Sequence, residues 1–349
     1  MLDPNDRFLT CRGILRWHYG HRSPEFDGPP RRHYSLHYTY RNGDQMYVAS
    51  KVRKERGRVP FHRQFAILRA LGDGDPQSVV RPPVRPRRGG RDWVTGLGNR
   101  WFVRSYTEHD QSPDWLSLSL VRDAARKLAT VHRTSSTMDA DVLRTPAHNL
   151  RVYDWPLLDV LGQSDAVVTD MRTRDRIPRH IDMVSAGLGR LRAERRSLDL
   201  GPEGLTHHDL RTENILVRDG EVVEIVDWDR AHWDVQWYDV TLAGLHLANQ
   251  RPGAPRWDLT DVFLDAYRAE SGTGLSADAL AWLFRFTAIR NLAVSRSPDK
   301  WARLLPRVEE RWGDGGLAFV NDFVAEDQVA PDLNVTAEDG GTVGAVTVG

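Results

Sequence analysis

Markers of secretion and of membrane insertion are scarce in this sequence. Its 349 residues include a single cysteine, Cys11, which excludes an internal disulfide framework and is typical of a reducing compartment. No apolar run is long enough to cross a bilayer. The first residues have neither the basic segment nor the apolar core of a signal peptide. We therefore expect a cytoplasmic protein without a membrane partner.

Lysine is also scarce. Only four of the 48 basic residues are lysine, at positions 51, 54, 127 and 300, so a site that requires lysine has few candidates. The net charge is zero, but residues 1–200 carry a surplus of 12 positive charges and residues 201–325 a surplus of 7 negative charges. The basic part suits an anion such as phosphate, although a solvated arginine-rich surface explains it equally well. The basic stretches lack interleaved aromatic residues, and we expect no nucleic-acid partner.

Alternating apolar and polar residues over residues 33–52 predict a β-hairpin. Asn42-Gly43 at its centre is a strong signal for a two-residue turn, which would place Leu36 opposite Ala49. Residues 61–72 predict a short helix that ends at a glycine.

A second hairpin is predicted over residues 92–106, turning at Gly98-Asn99. Helical periodicity then predominates, over residues 116–133, 178–197, 236–249, 258–271 and 276–295, with a shorter stretch near 315–324. Ser276 is a predicted N-cap. The predicted fold is α+β with two lobes, a small antiparallel sheet carrying one helix and a larger helical lobe. We divide the chain into a β-rich lobe (1–105), a helical lobe (106–325) and an acidic disordered tail (326–349).

One stretch of the helical part places charges at the ends of strand-like runs. Residues 214–229 predict two short strands that turn at Asp219-Gly220. The hairpin would bring its outer ends together, and with them Asp209, Asn214 and Asp227. Carboxylate and amide oxygens suit Mg²⁺ that is held jointly with substrate phosphates. The sequence therefore predicts a metal and proton-transfer site here.

These residues also carry a resemblance to a known family. His207-x-Asp209-x-x-x-x-Asn214 resembles the catalytic loop of the protein-kinase-like superfamily, and Asp227 falls at that superfamily's metal-binding aspartate. The Trp-Asp pair that follows, ending at Asp229, resembles the aminoglycoside phosphotransferase and choline kinase branch. Val-Ala-Ser-Lys at residues 48–51 is similar to the strand motif that supplies a phosphate-binding lysine.

The resemblance implies roles for single residues. Asp209 would orient the acceptor hydroxyl and take its proton. Asn214 and Asp227 would hold Mg²⁺ between the phosphates of ATP or GTP. Lys51 would contact the α- and β-phosphates, with Lys54 as the alternative.

The resemblance extends to the nucleobase. Ala49 and Leu216 would sandwich it, and the segment 102–106, ending at Tyr106, would offer backbone groups to its edge. Among the supporting residues, His207 is expected to be a hydrogen-bonded structural histidine rather than a proton shuttle.

Two acidic residues that follow Asp227 in the sequence have less definite roles. Asp229 is either a second metal ligand or a structural ion-pair partner of an arginine. Asp239 is expected to brace the catalytic loop.

The sequence departs from the family pattern at three points. Gln64 stands where the family has the glutamate that pairs with the strand lysine, His208 replaces a small residue, and no Gly-x-Gly-x-x-Gly motif precedes the first strand. An amide at position 64 can hydrogen-bond Lys51 but cannot offset its charge. These departures leave a nucleotide-binding pseudokinase that acts through a partner protein as an alternative.

The acceptor is the least determined part of the reaction. A cluster of acidic residues would attract a cationic acceptor such as an aminoglycoside or an amino-alcohol, or simply form a solvated helix face: Asp258, Asp261, Asp265 and Glu270. The alternative enzyme is a kinase that phosphorylates Ser or Thr of a precursor peptide in a natural-product pathway. Its arginine-rich loops would then grip an acidic leader segment.

Overall fold

The structure is a computed structural model. It describes residues 4–32, 36–52, 61–73, 78–96, 98–138, 152–250, 254–295 and 297–313. The helix expected near 315–324, the tail 326–349 and Lys54 lie outside the described residues.

The described chain begins with an antiparallel sheet and continues as helices, which confirms the predicted α+β fold. The strands of this sheet are β1 (Glu25–Phe26), β2 (Arg31–Arg32), β3 (Leu36–Asn42), β4 (Gln45–Val52), β5 (Val94–Gly96) and β6 (Asn99–Ser105). Their order is β1-β3-β4-β6-β5, with β2 also pairing with β3. Aromatic pairs support the alternation of β3 and β4, since the rings of Tyr40 and Tyr47 stack across the strands with centroids 5.5 Å apart.

The hairpin of β3 and β4 forms, but the predicted register is wrong by two residues. Asn42 pairs with Gln45, and Leu36 therefore lies opposite Lys51 instead of Ala49. Gly43 has φ of 64°, the left-handed conformation that the first position of a two-residue hairpin turn requires. The glycine thus occupies the first turn position rather than the second.

The turn of the second hairpin also lies one residue away from the predicted position. Gly96 pairs with Asn99, so Gly98 is the last residue of the turn and Asn99 already belongs to β6. The φ of Gly98 is 71°, which again places the glycine where the backbone is left-handed.

Helices form most of the rest of the described chain. They are α1 (Pro4–Ile14), α2 (Phe61–Gly72), α3 (Leu118–Ser135), α4 (Leu157–Gly162), α5 (Ser164–Thr173), α6 (Pro178–Glu194), α7 (Trp237–Ala248), α8 (Trp257–Ser271), α9 (Ala277–Val294) and α10 (Pro298–Trp312). The predicted N-cap is confirmed, because the Ser276 hydroxyl accepts a hydrogen bond of 3.2 Å from the Ala279 N–H. The sequence patterns did not predict α1, α4, α5 or α10.

The helix α9 is the centre of the helical region. It is buried on almost all sides and packs against α6, α7 and α10. The indole of Trp282 donates a 2.9 Å hydrogen bond to the Leu191 carbonyl, which ties α9 to α6. In the part of the chain that the structure describes, none of the helices combines the length and the apolar character needed to span a bilayer.

Two small ladders complete the scaffold of the site. β8 (Ile215–Arg218) and β9 (Glu221–Ile225) form the hairpin predicted at Asp219-Gly220, and both turn residues have positive φ, 55° and 80°. The other ladder pairs β7 (Glu203–Thr206) with β10 (His232–Val235) and was not predicted. It pairs Thr206, just before the loop 207–214, with His232, which follows Asp227. We call the loop 207–214 the catalytic loop and Asp227 the metal motif, after the family motifs that they resemble.

Candidate active site

A buried carboxylate, that of Asp239, holds the backbone of the catalytic loop in place. Asp239, at the start of α7, accepts hydrogen bonds from the backbone N–H groups of His207 and His208, the latter at 2.9 Å. The Asp239 side chain is fully buried and also lies 3.4 Å from Nε2 of His132 on α3. Successive N–H groups that converge on one buried carboxylate restrict the loop to a single conformation. This is the geometry expected of a brace.

The ring of His207 connects the catalytic loop to the metal motif. Its Nε2 lies 2.8 Å from the Val226 carbonyl and its Nδ1 accepts a 3.3 Å hydrogen bond from the Asp209 N–H. An acceptor at Nδ1 requires the proton on Nε2, which then donates to Val226. The ring also packs against Trp228 with centroids 4.7 Å apart. Both nitrogens are thus used in structural hydrogen bonds.

Asp209 lies between two arginines. Its Oδ1 is 3.2 Å from Nε of Arg211 and 3.7 Å from Nη1 of Arg230. Arg230 also reaches the buried Asp154, with 3.3 Å between Nε and Oδ1. The Asp209 side chain is about one-sixth exposed, at 17%, so the carboxylate is accessible to a small acceptor.

The two residues expected to bind metal, Asn214 and Asp227, lie beside each other in the structure. The Asn214 amide nitrogen donates a 2.8 Å hydrogen bond to the Asp209 carbonyl, which leaves its amide oxygen for a ligand. A 2.9 Å hydrogen bond from the Val226 N–H to the Asn214 carbonyl brings the next residue, Asp227, beside it. Asp227 is exposed, and no basic side chain of the described residues pairs with it. This oxygen set fits Mg²⁺.

Asp227 also has a strained backbone. Its φ of 69° and ψ of 49° place it in the left-handed region, which non-glycine residues seldom adopt. Strain of this kind is retained where the surrounding structure enforces it, often at functional sites. Asp229, two residues later, lies half-buried in the short 3₁₀ turn Trp228–Arg230.

His208 is the second strained residue of the site, with φ of 66°, which explains why a small residue suits this position. Its ring is fully buried. Nδ1 lies 3.0 Å from Nη2 of Arg290, and Nε2 lies 3.0 Å from Oδ2 of Asp234. His232 packs on the ring with centroids 4.0 Å apart. The loop is thereby fixed to α9 and β10.

Potential ligand atoms of His208, His232 and Asp234 lie within 4.8 Å of one another, as in a metal site. Arg290 argues against metal binding here. A guanidinium only donates, so His208 must accept at Nδ1 and carry its proton on Nε2, where it donates to Asp234. A protonated nitrogen does not ligate metal. The cluster is a hydrogen-bond network that joins His208 of the catalytic loop to Asp234 and Arg290.

Burial changes the protonation of this network. It lowers the pKa of His232 to about 4 and raises that of Asp234 to about 7, and it holds the pKa of His208 well below its ordinary value. In each case the charged form is disfavoured because it loses its hydration. At neutral pH both histidines are neutral in the folded protein.

We expect His232 to make the fold sensitive to acid. Its pKa is lower in the folded state than in the unfolded state, so unfolding takes up a proton as the pH falls from about 6.5 to about 4. The loss of unfolding free energy reaches about 3 kcal/mol at the acid end of this window. In His232→Phe this contribution disappears. Denaturant unfolding of the wild type and of His232→Phe between pH 7.5 and 4 measures this contribution as a difference in unfolding free energy that changes with pH. A difference that stays constant over this range would contradict the lowered pKa of His232.

The structure does not bring Lys51 and Ala49 to the catalytic loop. Both side chains project from the face of β4 that is covered by α1 and the π-helical turn Leu15–Tyr19, where Ala49 packs among buried aromatic residues. The Lys51 ammonium lies 5.5 Å from the centroid of the Trp101 ring. The nucleotide contacts predicted for Lys51 and Ala49 therefore need correction.

Helix α2 lies on the other face of the sheet. The ring of Phe65 on α2 packs against Phe102, with centroids 5.2 Å apart, and Phe102 pairs with Ser50. The same helix passes beside the Trp228–Arg230 turn. Because side chains alternate along a strand, Ser50 faces α2 and Lys51 faces away. Gln64, next to Phe65, consequently makes no hydrogen bond to Lys51.

We expect Lys51→Gln to have little effect on catalysis. With its ammonium over Trp101, the loss should be confined to about 0.5–1 kcal/mol of unfolding free energy from the cation–π contact. Steady-state kinetics should show kcat/KM within about threefold of the wild type, as in the control Lys127→Gln. A hundredfold loss in Lys51→Gln alone would restore the phosphate-binding role.

The predicted base-binding residues lie where the sheet joins the helical region. Leu216 is half-buried on β8 and pairs with Glu224 of β9. The Tyr106 N–H is used within the sheet, donating a 2.9 Å hydrogen bond to the Met46 carbonyl, and is not available to a base. The next residue, Thr107, donates its hydroxyl to Glu224. Burial raises the pKa of this carboxyl group.

Arg211, Arg230 and Asp154 were not identified from the sequence. Arg211 lies between Asp209 and Asn214, and Arg230 directly follows Asp229. Because the chain has 44 arginines, only this proximity to the motifs could have singled out these two. Asp154 precedes the site by more than fifty residues and reaches it only through tertiary folding.

Comparison with known proteins gives a match to one family. The model of the phosphotransferase enzyme family matches residues 34–274, a span that contains strands β3 to β6 of the sheet, the catalytic loop and the metal motif. No curated protein matches the sequence.

Solved structures share the fold at low identity. A spectinomycin phosphotransferase in complex with ADP and spectinomycin is 14% identical, with a TM-score of 0.54 and coverage of 93% of this chain and 94% of that one. A thermostable aminoglycoside phosphotransferase mutant with ADP and hygromycin B is 12% identical, with a TM-score of 0.59 and coverage of 88% and 99%. An ethanolamine kinase from Plasmodium vivax is 13% identical, with a TM-score of 0.61 and coverage of 88% and 89%.

Proposed function

The chain belongs to the phosphotransferase enzyme family, and on this premise we propose that it transfers the γ-phosphoryl group of ATP or GTP to a hydroxyl group of a small molecule. The observation that carries the proposal is the arrangement of Asp209, Asn214 and Asp227 at one end of the β8–β9 hairpin. The bound ADP and acceptors of the similar structures support it. Aminoglycoside-like compounds and amino-alcohols are accordingly the first acceptor classes to test.

In the proposed reaction the acceptor oxygen forms a bond to the γ-phosphorus, and the bond from that phosphorus to the β–γ bridging oxygen breaks. The hydroxyl proton passes to Oδ of Asp209 late in a loose transition state, and the nucleoside diphosphate leaves. Arg211 and Arg230 hold the Asp209 carboxylate in place. Asp239 fixes the backbone of the loop, so that the base needs little reorganisation.

Asn214 and Asp227 would hold Mg²⁺, which when bound supplies positive charge to the transferring phosphoryl group. Leu216 would contact one side of the nucleobase. Since Ala49 faces away, Val48, the neighbouring residue on the α2 side of β4, is the proposed contact on the other side. We also propose the cytoplasm as the compartment and keep the boundary between residues 105 and 106 as the proposed division of the lobes.

The experiment is a transfer assay with γ-labelled ATP and GTP, Mg²⁺ and a panel of amino-sugars, amino-alcohols, hydroxy acids and serine-containing peptides. We expect label in at least one small-molecule acceptor, and none when Mg²⁺ is removed by chelation. Nucleotide binding with label found only in peptides would favour the precursor-peptide kinase. Absence of nucleotide binding altogether would contradict the proposal.

A further inference from the structure

Each of the two proposed contacts to the nucleobase has a charged neighbour on the adjacent strand. Leu216 pairs with Glu224 across the β8–β9 hairpin, and Val48 pairs with Arg104 where β4 meets β6. Directly paired residues of an antiparallel ladder project their side chains from the same face, with Cβ atoms about 4.5–5.5 Å apart. A base that lies between Leu216 and Val48 therefore has a carboxyl group and a guanidinium group beside it.

The linker between the sheet and the helical region, residues 106–110, joins the two ladders at this point. The Tyr106 N–H donates a 2.9 Å hydrogen bond to a carbonyl of β4, and the Asp110 N–H donates one of 2.6 Å to the Val217 carbonyl of β8. Between these two contacts the Thr107 hydroxyl donates to the Glu224 carboxylate. The Glu224 carboxylate therefore lies where the linker passes the hairpin, at the edge of the space proposed for the base.

Both charged side chains keep hydrogen-bonding capacity. Glu224 is only 3% exposed, and in the described part of the chain its side chain accepts one hydrogen bond, from Thr107. Arg104 is half-buried, and no described residue forms a hydrogen bond or an ion pair with its guanidinium. Burial raises the pKa of Glu224, and among the cations Arg104 opposes this rise most. Unused acceptors and donors of this kind, next to a cleft, are available to a ligand.

Guanine matches this pair of groups, and adenine does not. Guanine presents acceptors at O6 and N7, which suit the forked donors of Arg104, and N–H donors at N1 and N2, which suit the carboxylate of Glu224. Adenine has an amino group in place of O6 and an unprotonated N1. A donor would then face a donor at Arg104, and an acceptor would face an acceptor at Glu224. Buried polar groups that are left unpaired in this way weaken binding.

We propose that the phosphoryl donor is GTP, with Arg104 donating to O6 and N7 of the guanine and Glu224 accepting from N1 and N2. The inference rests on the proposed function and names the donor of the same transfer. Leu216 and Val48 would contact the faces of the base, which are alike in both purines, so the edge decides between them. The γ-phosphoryl group passes to the acceptor hydroxyl, the hydroxyl proton passes to Asp209, and GDP leaves.

The test is isothermal titration of the full chain, in the presence of Mg²⁺, with the non-hydrolysable triphosphates of guanosine, adenosine and xanthosine. We expect the wild type to bind the guanosine nucleotide at least about tenfold more tightly than the adenosine nucleotide, since one bidentate contact to a base discriminates on this scale. Equal affinities, or a preference for adenosine, would overturn the inference and leave the proposed function intact. Failure of every triphosphate to bind would overturn the proposed function, and the inference with it.

Glu224→Gln should change the specificity in a way that a purely structural role would not. The amide oxygen can still accept from the Thr107 hydroxyl, while the NH₂ group would oppose the 2-amino group of guanine and match the 2-oxo group of xanthine. The guanosine nucleotide should bind about tenfold more weakly than to the wild type, and the xanthosine nucleotide about tenfold more tightly. Glu221→Gln, at an exposed position of the same strand, should leave all three affinities unchanged.

Arg104→Met is the second variant, which keeps an extended side chain and removes the donors. It should bind the guanosine nucleotide about tenfold more weakly and the adenosine nucleotide within about threefold of the wild type. The control is Arg41→Met, an exposed arginine of β3, which should change neither affinity. A full guanosine preference in Arg104→Met, or no gain of xanthosine binding in Glu224→Gln, would overturn the assignment of that residue to the base.

Discussion

In Asp209→Asn, kcat should fall by about 10²–10⁴-fold while the protein still folds and still binds nucleotide. An asparagine has nearly the same shape but cannot accept the acceptor proton. The backbone contacts of residue 209, from its N–H to His207 and from its carbonyl to Asn214, do not involve the carboxylate and should persist. Steady-state transfer rates and a thermal-shift titration with nucleotide measure the two properties separately.

The matched control is Asp219→Asn, in the exposed turn of the β8–β9 hairpin. It makes the same chemical change close to the site without touching it, so kcat should stay within about twofold. Wild-type turnover in Asp209→Asn would exclude this carboxylate as the base. A loss of nucleotide binding in the same variant would show that Asp209 acts on the fold of the loop rather than on the acceptor.

The second large effect is expected at Asp227. Asparagine is the informative replacement, because it tolerates the left-handed backbone, φ 69°, and removes only the charge. We expect the Mg²⁺-dependent part of nucleotide binding to disappear and kcat/KM to fall at least on the order of 10²-fold. Isothermal titration of nucleotide with and without Mg²⁺ measures the Mg²⁺-dependent part of the affinity.

Asp219→Asn is again the control, since Asp219 shares the left-handed conformation, with φ of 55°, in the hairpin that precedes Asp227. An unchanged Mg²⁺ dependence in Asp227→Asn would remove Asp227 from the metal site. It would also favour a pseudokinase, in which nucleotide is held without the metal that transfer requires.

Local patterns predicted the elements that depend on neighbouring residues. Helix α2 ends at Gly72, Ser276 caps α9, and Asp219-Gly220 forms a hairpin turn, because each involves hydrogen bonds and backbone angles within a few residues. The contact of Asp209 with Asn214 is of the same short range, since only five residues separate the Asp209 carbonyl from the Asn214 amide that donates to it.

The error at Lys51 has a non-local cause. Because side chains alternate along a strand, Ala49 and Lys51 share one face of β4, but the sequence of β4 does not reveal which face α2 will cover. That choice depends on α1 and the π-helical turn, which pack on the side of Tyr38 and Trp101 and were not predicted.

Long-range pairing explains the other differences. The carboxylates on α8 read as an acidic cluster in sequence, whereas the arginines that neutralise Asp261 and Glu270 come from α10 and α3. Likewise, Arg290 stabilises the catalytic loop through His208 across more than eighty residues. No local signal predicts such contacts.

The measurement that tests the site most directly is a crystal structure with Mg²⁺ and a non-hydrolysable nucleoside triphosphate. We expect the metal to be bound by oxygens of Asn214 and Asp227 at about 2.0–2.1 Å, with the γ-phosphate facing Asp209 and the base against Leu216. A metal held by other residues, or a triphosphate bound away from the β8–β9 hairpin, would contradict the assignment of this site to phosphoryl transfer.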